Sequence, residues 1–235
     1  MKTIKKSDLP SKILRILDWG VICIVSVYMR WLGECLMTNQ ISCKCGTCRL
    51  TLNDPVPRYS VLCACQDCRQ ALRWAAKFGG EAPSDLVRGT YLRSDFSKIE
   101  GKEHIIANKL RDDNRSIRLF CNKCHSCIGI DHVAYQNNVL LAFIDHCSID
   151  LDFPFEPKAV LFAQDYPSGL VPVPSDEIPV FHSLQYPQER ARFLATDPIA
   201  KTLAPPETPA KGTTIRDLVA SLPVENLNLK PGELP

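Results

Sequence analysis

The sequence lacks several features that would assign a function directly. Its net charge is only +2 and its pI is about 7.9, so it has no excess of the basic residues that DNA- and RNA-binding domains concentrate on one face. Its aromatic residues are scattered rather than paired with basic ones, so no stacking platform for nucleic acid is indicated. No low-complexity tract is present. The sequence therefore predicts no nucleic-acid partner.

The N-terminal region lacks an uncharged apolar run of membrane-spanning length. Residues 19–29 form a mostly apolar run of eleven residues, whereas a spanning helix needs about 20. No clean signal-peptide cleavage site follows. Because Met37 stands just before the first cysteine cluster, residues 1–36 are interpreted as an apolar, dispensable extension. Membrane contact by residues 13–32, as an amphipathic helix, is disfavoured but stays open.

What the sequence does have is cysteine, at twelve of its 235 positions. Nine of the twelve fall in three short clusters. These clusters are Cys43, Cys45 and Cys48; Cys63, Cys65 and Cys68; and Cys121, Cys124 and Cys127. Spacings of one and two residues are too tight for most disulfide frameworks, and no convincing secretory signal accompanies them. Metal-bound thiolates in a reducing compartment, the cytoplasm, are therefore the better interpretation.

The first and third clusters together supply a complete set of zinc ligands. Cys43 and Cys45 form a C-x-C pair, and Cys121 and Cys124 form a C-x-x-C pair. Four thiolates satisfy a tetrahedral zinc ion, and such closed sites are structural. This four-cysteine set joins segments more than seventy residues apart, so its zinc is expected to contribute much of the folding free energy.

The middle cluster offers three thiolates from one loop, at Cys63, Cys65 and Cys68. Three protein ligands leave one position of a tetrahedral zinc ion open, which is the arrangement used when the metal meets a substrate. The competing interpretation is a second structural site that another protein ligand completes. His125 and Cys127 are the candidates for that fourth ligand.

The remaining cysteines are interpreted as structural. Cys48 alternates in phase with Leu50 and Leu52, which predicts a place in the core of a strand rather than on a metal. Cys127 is interpreted as a buried or supporting thiol. Single cysteines with no partner in the sequence are interpreted as inert, and they are Cys23, Cys35 and Cys147.

Short apolar and alternating runs predict a β-rich chain. The predicted strands are 48–52, 58–62, 86–88, 90–92, 115–120, 139–144 and 159–162. A helix is predicted from Cys68 to Lys77, ended by two glycines. After about residue 165 prolines accumulate and apolar residues thin out, which predicts an irregular tail with short helices at 188–195 and 215–222. The predicted organisation is an extension over 1–36, a zinc domain over 37–165 and a proline-containing tail over 166–235.

Three motifs, taken together, resemble those of a known family. They are C-x-C-G-x-x-R followed by an apolar residue at 43–50, C-x-C-x-x-C-R at 63–69, and Phe-C-x-x-C at 120–124. Their order and spacing over about residues 41–165 are similar to those of the glutathione-dependent formaldehyde-activating enzyme family, which includes centromere protein V. The combined pattern is specific, whereas any single C-x-x-C would not be.

The resemblance implies a mainly β fold of the β-tent type, stapled by zinc, with short helices. It implies two zinc ions, a structural one in the four-cysteine set and a functional one at Cys63, Cys65 and Cys68, where a glutathione thiolate is the fourth ligand. Members of the family are described as carbon–sulfur lyases that act on glutathione–formaldehyde adducts. Arg69 matches the family's arginine, whose role is either to hold a carboxylate of glutathione or to bind a nearby backbone carbonyl.

The sequence also departs from the family's pattern. His125 stands where the family has glycine after its last cysteine pair. Cys48 and Cys127 are additional thiols at positions that are normally apolar or small. The segment at 157–162 lacks a histidine that the family's closing strand contains. These changes leave the expected structural zinc ligands intact.

The expected function is that of a zinc-dependent carbon–sulfur lyase acting on glutathione–aldehyde adducts or a related thiol adduct. No protein nucleophile or general base is apparent, so the substrate thiol is expected to be the nucleophile, and Cys63, Cys65 and Cys68 are expected to form the catalytic centre. The alternative from another class is a non-catalytic, zinc-stapled protein-binding module. A thiol redox protein would need an isolated C-x-x-C beside a βαβ pattern, which the sequence lacks.

Overall fold

Two β-sheets make up most of the computed structural model, which describes residues 38–233. The predicted extension over residues 1–36, with its membrane-contact alternative over 13–32, lies outside the described residues. The mainly β fold expected from the sequence is confirmed. No helix within residues 38–233 is long and apolar enough to cross a membrane.

The smaller sheet has five short strands. They are β1 (Gln40–Ser42), β2 (Arg49–Leu52), β5 (Asp95–Glu100), β10 (Ser148–Asp150) and β13 (Thr213–Thr214). Their order across the sheet is β10-β1-β2-β5-β13, and every neighbouring pair is antiparallel.

The larger sheet has nine strands, in the order β12-β11-β3-β4-β9-β8-β7-β6-β14. The first five along the chain are β3 (Tyr59–Cys63), β4 (Val87–Arg93), β6 (Ile105–Lys109), β7 (Ser116–Cys121) and β8 (Cys127–His132). The other four are β9 (Val139–Phe143), β11 (Ala159–Leu161), β12 (Val180–Phe181) and β14 (Val224–Asn226). Its central pairs are antiparallel, whereas β11, β12 and β14 join by parallel pairing.

Both faces of the larger sheet are buried, because side chains alternate along its strands. On β9, Leu140 and Ala142 face a core shared with the smaller sheet, whereas Leu141 and Phe143 face a second core. The second core includes the buried face of helix α1 (Gln66–Ala76). Three further helices follow, which are α2 (Pro187–Ala195), α3 (Asp197–Leu203) and α4 (Ile215–Ala220).

Helix α1 begins at Gln66, two residues before the predicted start at Cys68. It ends at Ala76, shortly before the two glycines that were expected to end it. Gly79 adopts φ +98°, a conformation that glycine reaches without a steric cost. Gly80 lies against neighbouring backbone, since an added Cβ would come within 2.8 Å of the His125 carbonyl oxygen. This close packing joins the end of α1 to the third cysteine cluster.

The tail after residue 165 is more regular than its composition predicts. Three of its segments extend the sheets, as β12 pairs with β11, β13 with β5 and β14 with β6. Arg93, itself paired with Asp95, donates hydrogen bonds to the carbonyl oxygens of Thr208 and Pro209 at 2.8 and 2.7 Å. Local composition does not predict these contacts, because they join residues that are distant in sequence. Residues 38–233 belong to one compact unit.

One buried amide fixes the C-terminal segment on α1. Gln70, which is 1% exposed, donates from Nε2 to the carbonyl oxygens of Lys230 and Glu233 at 2.7 and 2.8 Å. Its Oε1 accepts a hydrogen bond from Arg111 at 3.2 Å. Residues 230–233 are therefore held against the helix that carries Cys68.

Replacing this amide is expected to destabilise the protein. Gln70→Ala removes one hydrogen-bond partner from each of two carbonyl oxygens and from Arg111, which costs about 2 kcal/mol of unfolding free energy. Chemical denaturation monitored by circular dichroism measures the change. Gln66→Ala on the same helix is the control, because Gln66 is exposed; equal stabilities of the two variants would contradict the role given to Gln70.

Candidate metal centres

The first cysteine pair lies in a tight turn between β1 and β2. Gly46, at φ +74°, donates its backbone N–H to the Cys43 carbonyl oxygen at 2.9 Å. The Cys48 backbone N–H points at the Cys43 Sγ atom, 3.2 Å away. The side chain of Cys48 is fully buried and lies outside both groups of clustered ligands, as its alternating phase indicates.

The second cysteine pair lies in a matching turn between β7 and β8. The His125 N–H donates to the Cys121 carbonyl oxygen at 2.8 Å, and the Lys123 N–H lies 3.4 Å from the Cys121 Sγ atom. A hydrogen bond of 2.9 Å from the Lys44 N–H to Ser126 Oγ connects this turn to the first one.

The two turns bring four thiols together. The Sγ atoms of Cys43, Cys45, Cys121 and Cys124 all lie within 4.8 Å of one another, with Cys45 at 3.4 Å from Cys43 and 3.8 Å from Cys121. Zinc–sulfur bonds of about 2.3 Å in a tetrahedron place the sulfur atoms roughly 3.8 Å apart. The donor set therefore fits a zinc ion.

The pKa values of two of these thiols also favour the binding of a cation. Burial raises the pKa of Cys43 to about 12, so this thiol stays protonated at neutral pH unless a metal ion displaces the proton. The hydrogen bond between the Cys45 thiol and the Thr47 side chain lowers the pKa of Cys45 to about 6. Cys45 is thus ready to bind metal as a thiolate, and Cys43 loses its proton on binding.

Loss of one of the four ligands is expected to remove the ion and to destabilise the fold. In Cys121→Ser we expect one zinc fewer per chain and a loss of several kcal/mol of stability, because metal binding and folding are coupled. Elemental analysis and thermal unfolding measure both. Cys147→Ala is the control, since Cys147 is equally buried but lies outside the ligand groups. Normal zinc content and stability in Cys121→Ser would contradict a structural site.

The three-cysteine set forms where β3 leads into α1. Cys63 is the last residue of β3, Cys65 immediately precedes α1, and Cys68 lies in its first turn. Their Sγ atoms lie within 4.8 Å of one another, with 4.0 Å between Cys63 and Cys68. Within residues 38–233, no other cysteine, histidine or carboxylate joins this group.

Neither candidate for a fourth ligand reaches the three-cysteine set. The His125 ring stacks on Phe78 at a centroid distance of 5.1 Å and meets Trp74 edge-on at 5.7 Å. Cys127 is buried on β8 and is also outside the group. The described part of the chain therefore leaves one position around these three thiols without a protein ligand.

The backbone conformation at His125 is one that favours glycine, the residue expected at this position from the family resemblance. His125 adopts φ +51° in the left-handed region, where glycine has no steric penalty and histidine is one of the better-tolerated alternatives. The turn that presents Cys121 and Cys124 therefore forms without glycine.

The three thiols of this set differ in pKa. Hydrogen bonds from the thiols of Cys63 and Cys65 hold the pKa of Cys68 well below its usual range, and the charge of Arg118 adds to this effect. The N-terminus of α1 also favours an anion at this point. The pKa of Cys63 is correspondingly raised, because its thiol bonds to Cys65 and Cys68. The set therefore carries a thiolate that is suited to bind a cation.

Arg69 acts within the fold. It is 5% exposed and donates to the Asp165 carbonyl oxygen, while its Nη1 lies 3.4 Å from Asp85 Oδ1. Of the two roles expected for it, binding of a backbone carbonyl is observed, and a contact with glutathione stays a prediction. The Asp165 carboxylate accepts the Gln66 N–H at 3.1 Å, so both groups hold residue 165 against the start of α1.

Two tyrosines beside the three-cysteine set were not identified from the sequence as part of a site. The rings of Tyr91 and Tyr135 meet edge-on at 5.4 Å, and burial raises the pKa of both phenols, as does negative charge at Cys63 and Cys68. Both tyrosines are thus neutral hydrogen-bond donors at neutral pH. They come from β4 and from the turn after β8, and no local motif connects them.

Comparison with known families agrees with this arrangement of ligands. The model of the glutathione-dependent formaldehyde-activating enzyme family matches residues 38–165, more than half of the 235 residues. The chain belongs to this family. A comparison with curated proteins finds no match. The family region contains both cysteine sets and ends at Asp165, whose carbonyl oxygen binds Arg69.

Proposed function

We propose that this protein is a zinc-dependent carbon–sulfur lyase that acts on glutathione–aldehyde adducts, with the formaldehyde adduct as its type substrate. The observation that carries the proposal is the three-cysteine set with no fourth protein ligand among residues 38–233. Family membership over residues 38–165 supports it. Zinc ligands left open in this way are typical of catalytic sites rather than structural ones.

Both cysteine sets would hold zinc in this proposal. The four-cysteine set is closed and serves the fold, whereas Cys63, Cys65 and Cys68 would hold the functional ion. Zinc bound there supplies a Lewis acid that keeps a substrate thiol ionised at neutral pH. The sulfur-only donor sets suit zinc better than magnesium or calcium, which prefer oxygen ligands.

The reaction joins or separates a thiol and an aldehyde. In the joining direction the thiol sulfur forms a bond to the carbonyl carbon, the carbonyl double bond becomes a single bond, and the thiol proton ends on the new hydroxyl oxygen. No oxidant or reductant is consumed. The neutral phenols of Tyr91 and Tyr135 are hydrogen-bond donors near the thiols and are suited to stabilise developing charge on that oxygen.

The proposed partner is a small thiol such as glutathione, and the proposed location is the cytoplasm, where thiolates stay reduced. Arg69 is proposed to keep α1 in place and thereby to hold Cys68. A direct contact between Arg69 and a glutathione carboxylate would require the guanidinium to leave its partners at Asp165 and Asp85.

Replacing one cysteine of the three-cysteine set is expected to separate activity from folding. Cys65→Ser should hold one zinc per chain instead of two and unfold at nearly the wild-type temperature. It should also lose at least about a hundredfold in the rate of glutathione–formaldehyde exchange, because one ligand of the functional ion is missing. Exchange is measured by NMR line shapes with both reactants present.

The matched control is Cys127→Ala, which removes a neighbouring buried thiol outside the ligand group and should keep two zinc ions and the exchange rate. An inactive wild-type protein with two zinc ions would overturn the lyase proposal and favour a zinc-stapled binding module. A Cys65→Ser variant that unfolds would show that the second site is structural.

A further inference from the structure

Arg118 is a buried cation with no carboxylate partner among residues 38–233. It lies on β7 and is 2% exposed. Its Nη1 donates to the Asn114 side-chain oxygen at 3.2 Å, while its buried Nε has no hydrogen-bond partner. Isolated charges are costly to bury unless an opposite charge offsets them. A negative charge is therefore required close to Arg118.

The contacts of Arg118 place it at the start of α1. Asn114, which accepts the hydrogen bond from Arg118, donates from its own side-chain nitrogen to Asp67 at 2.9 Å. Asp67 directly precedes Cys68. Phe120, two residues further along β7, packs edge-on against Trp74 of α1 at a centroid distance of 5.4 Å. Arg118 thus lies beside the helix end that presents the three-cysteine set.

The carboxylate linked to Arg118 through Asn114 already has another cation, because Asp67 forms an ion pair with Arg111. Asp131 lies on the opposite face of the sheet, in register with Ile117, and pairs with Arg216 at 3.2 Å. The three-cysteine set, which lies at the start of α1 against the same core, is a further group on this side of the sheet that can carry negative charge. Three thiolates around a divalent cation carry a net charge of −1, which is the charge needed to offset one guanidinium.

We propose that Arg118 is the charge partner of the three-cysteine centre, a positioning residue that offsets the net negative charge of the metal–thiolate group. This inference rests on the proposed function in one respect, namely that Cys63, Cys65 and Cys68 hold a metal ion. With Arg118 present the centre is neutral overall. An anionic fourth ligand, such as a substrate thiolate, is then less strongly repelled than it would be by an uncompensated centre.

Changing the charge of Arg118 tests the proposal. Arg118→Met should weaken zinc binding at the three-cysteine set by about tenfold or more, whereas Arg118→Lys, which keeps the charge, should stay within about threefold of wild type. Competition with a chromogenic chelator measures the affinity of the weaker site. Cys65→Ser identifies which zinc ion that is, and retention of the other zinc shows that each variant is folded.

A second variant tests the same idea without removing the arginine. Asn108 lies directly opposite Arg118 in the β6–β7 register, is 1% exposed, and has neither side-chain polar atom hydrogen-bonded. Asn108→Asp, which is nearly isosteric, would give Arg118 a carboxylate of its own. Zinc binding at the three-cysteine set should then fall as it does in Arg118→Met, whereas the neutral Asn108→Leu should keep wild-type affinity.

The outcomes separate this inference from the proposed function. Unchanged zinc affinity in Arg118→Met or in Asn108→Asp, with two zinc ions in the wild type, would overturn the role of Arg118 and leave the lyase proposal standing. Equal weakening in Arg118→Lys and Arg118→Met would also overturn it, because charge would then not be the property that matters. A wild-type protein that binds no zinc at the three-cysteine set would overturn both.

Discussion

Four thiols from two turns that lie far apart in sequence converge at one point of the fold. Cys43 and Cys45 follow β1 in the smaller sheet, whereas Cys121 ends β7 in the larger sheet and Cys124 lies just after it. A single ion bound by all four would therefore join the two sheets. Direct bonding between these turns is slight by comparison, with one backbone hydrogen bond from Lys44 to a serine hydroxyl. Such an arrangement couples metal binding to folding.

The second cysteine set is placed by ordinary packing rather than by a second closed site. Strand β3 lies inside the larger sheet, and α1 is held on one face of that sheet by its apolar side chains. The junction between them carries Cys63, Cys65 and Cys68. Arg69 binds the end of the family region, and Gln70 binds the C-terminal segment, so neighbouring residues of one helix attach it to two distant parts of the chain.

The two cysteine sets differ in the charged groups around them as well as in the number of ligands. The four-cysteine set lies against the core shared by the sheets, while the three-cysteine set lies against the other core and close to the buried charge of Arg118. A centre with an open position and a nearby cation is suited to accept an anionic ligand. A closed centre of four thiolates has no such position, and this difference fits a division between a structural ion and a functional one.

The sequence by itself determined the ligand sets, because C-x-C and C-x-x-C pairs are local features whose spacing fixes which thiols share a turn. It also predicted most of α1 and the strands β2, β3, β4, β7, β9 and β11, since burial imposes a period on neighbouring residues. The polar strand β5 was missed, because only pairing with other strands stabilises it, and the short apolar runs of β6 and β8 were missed as well. Tertiary structure alone decided which groups Arg69 contacts and placed Arg118 beside Cys68. Charged groups and their partners meet across the fold and leave no local pattern in the sequence.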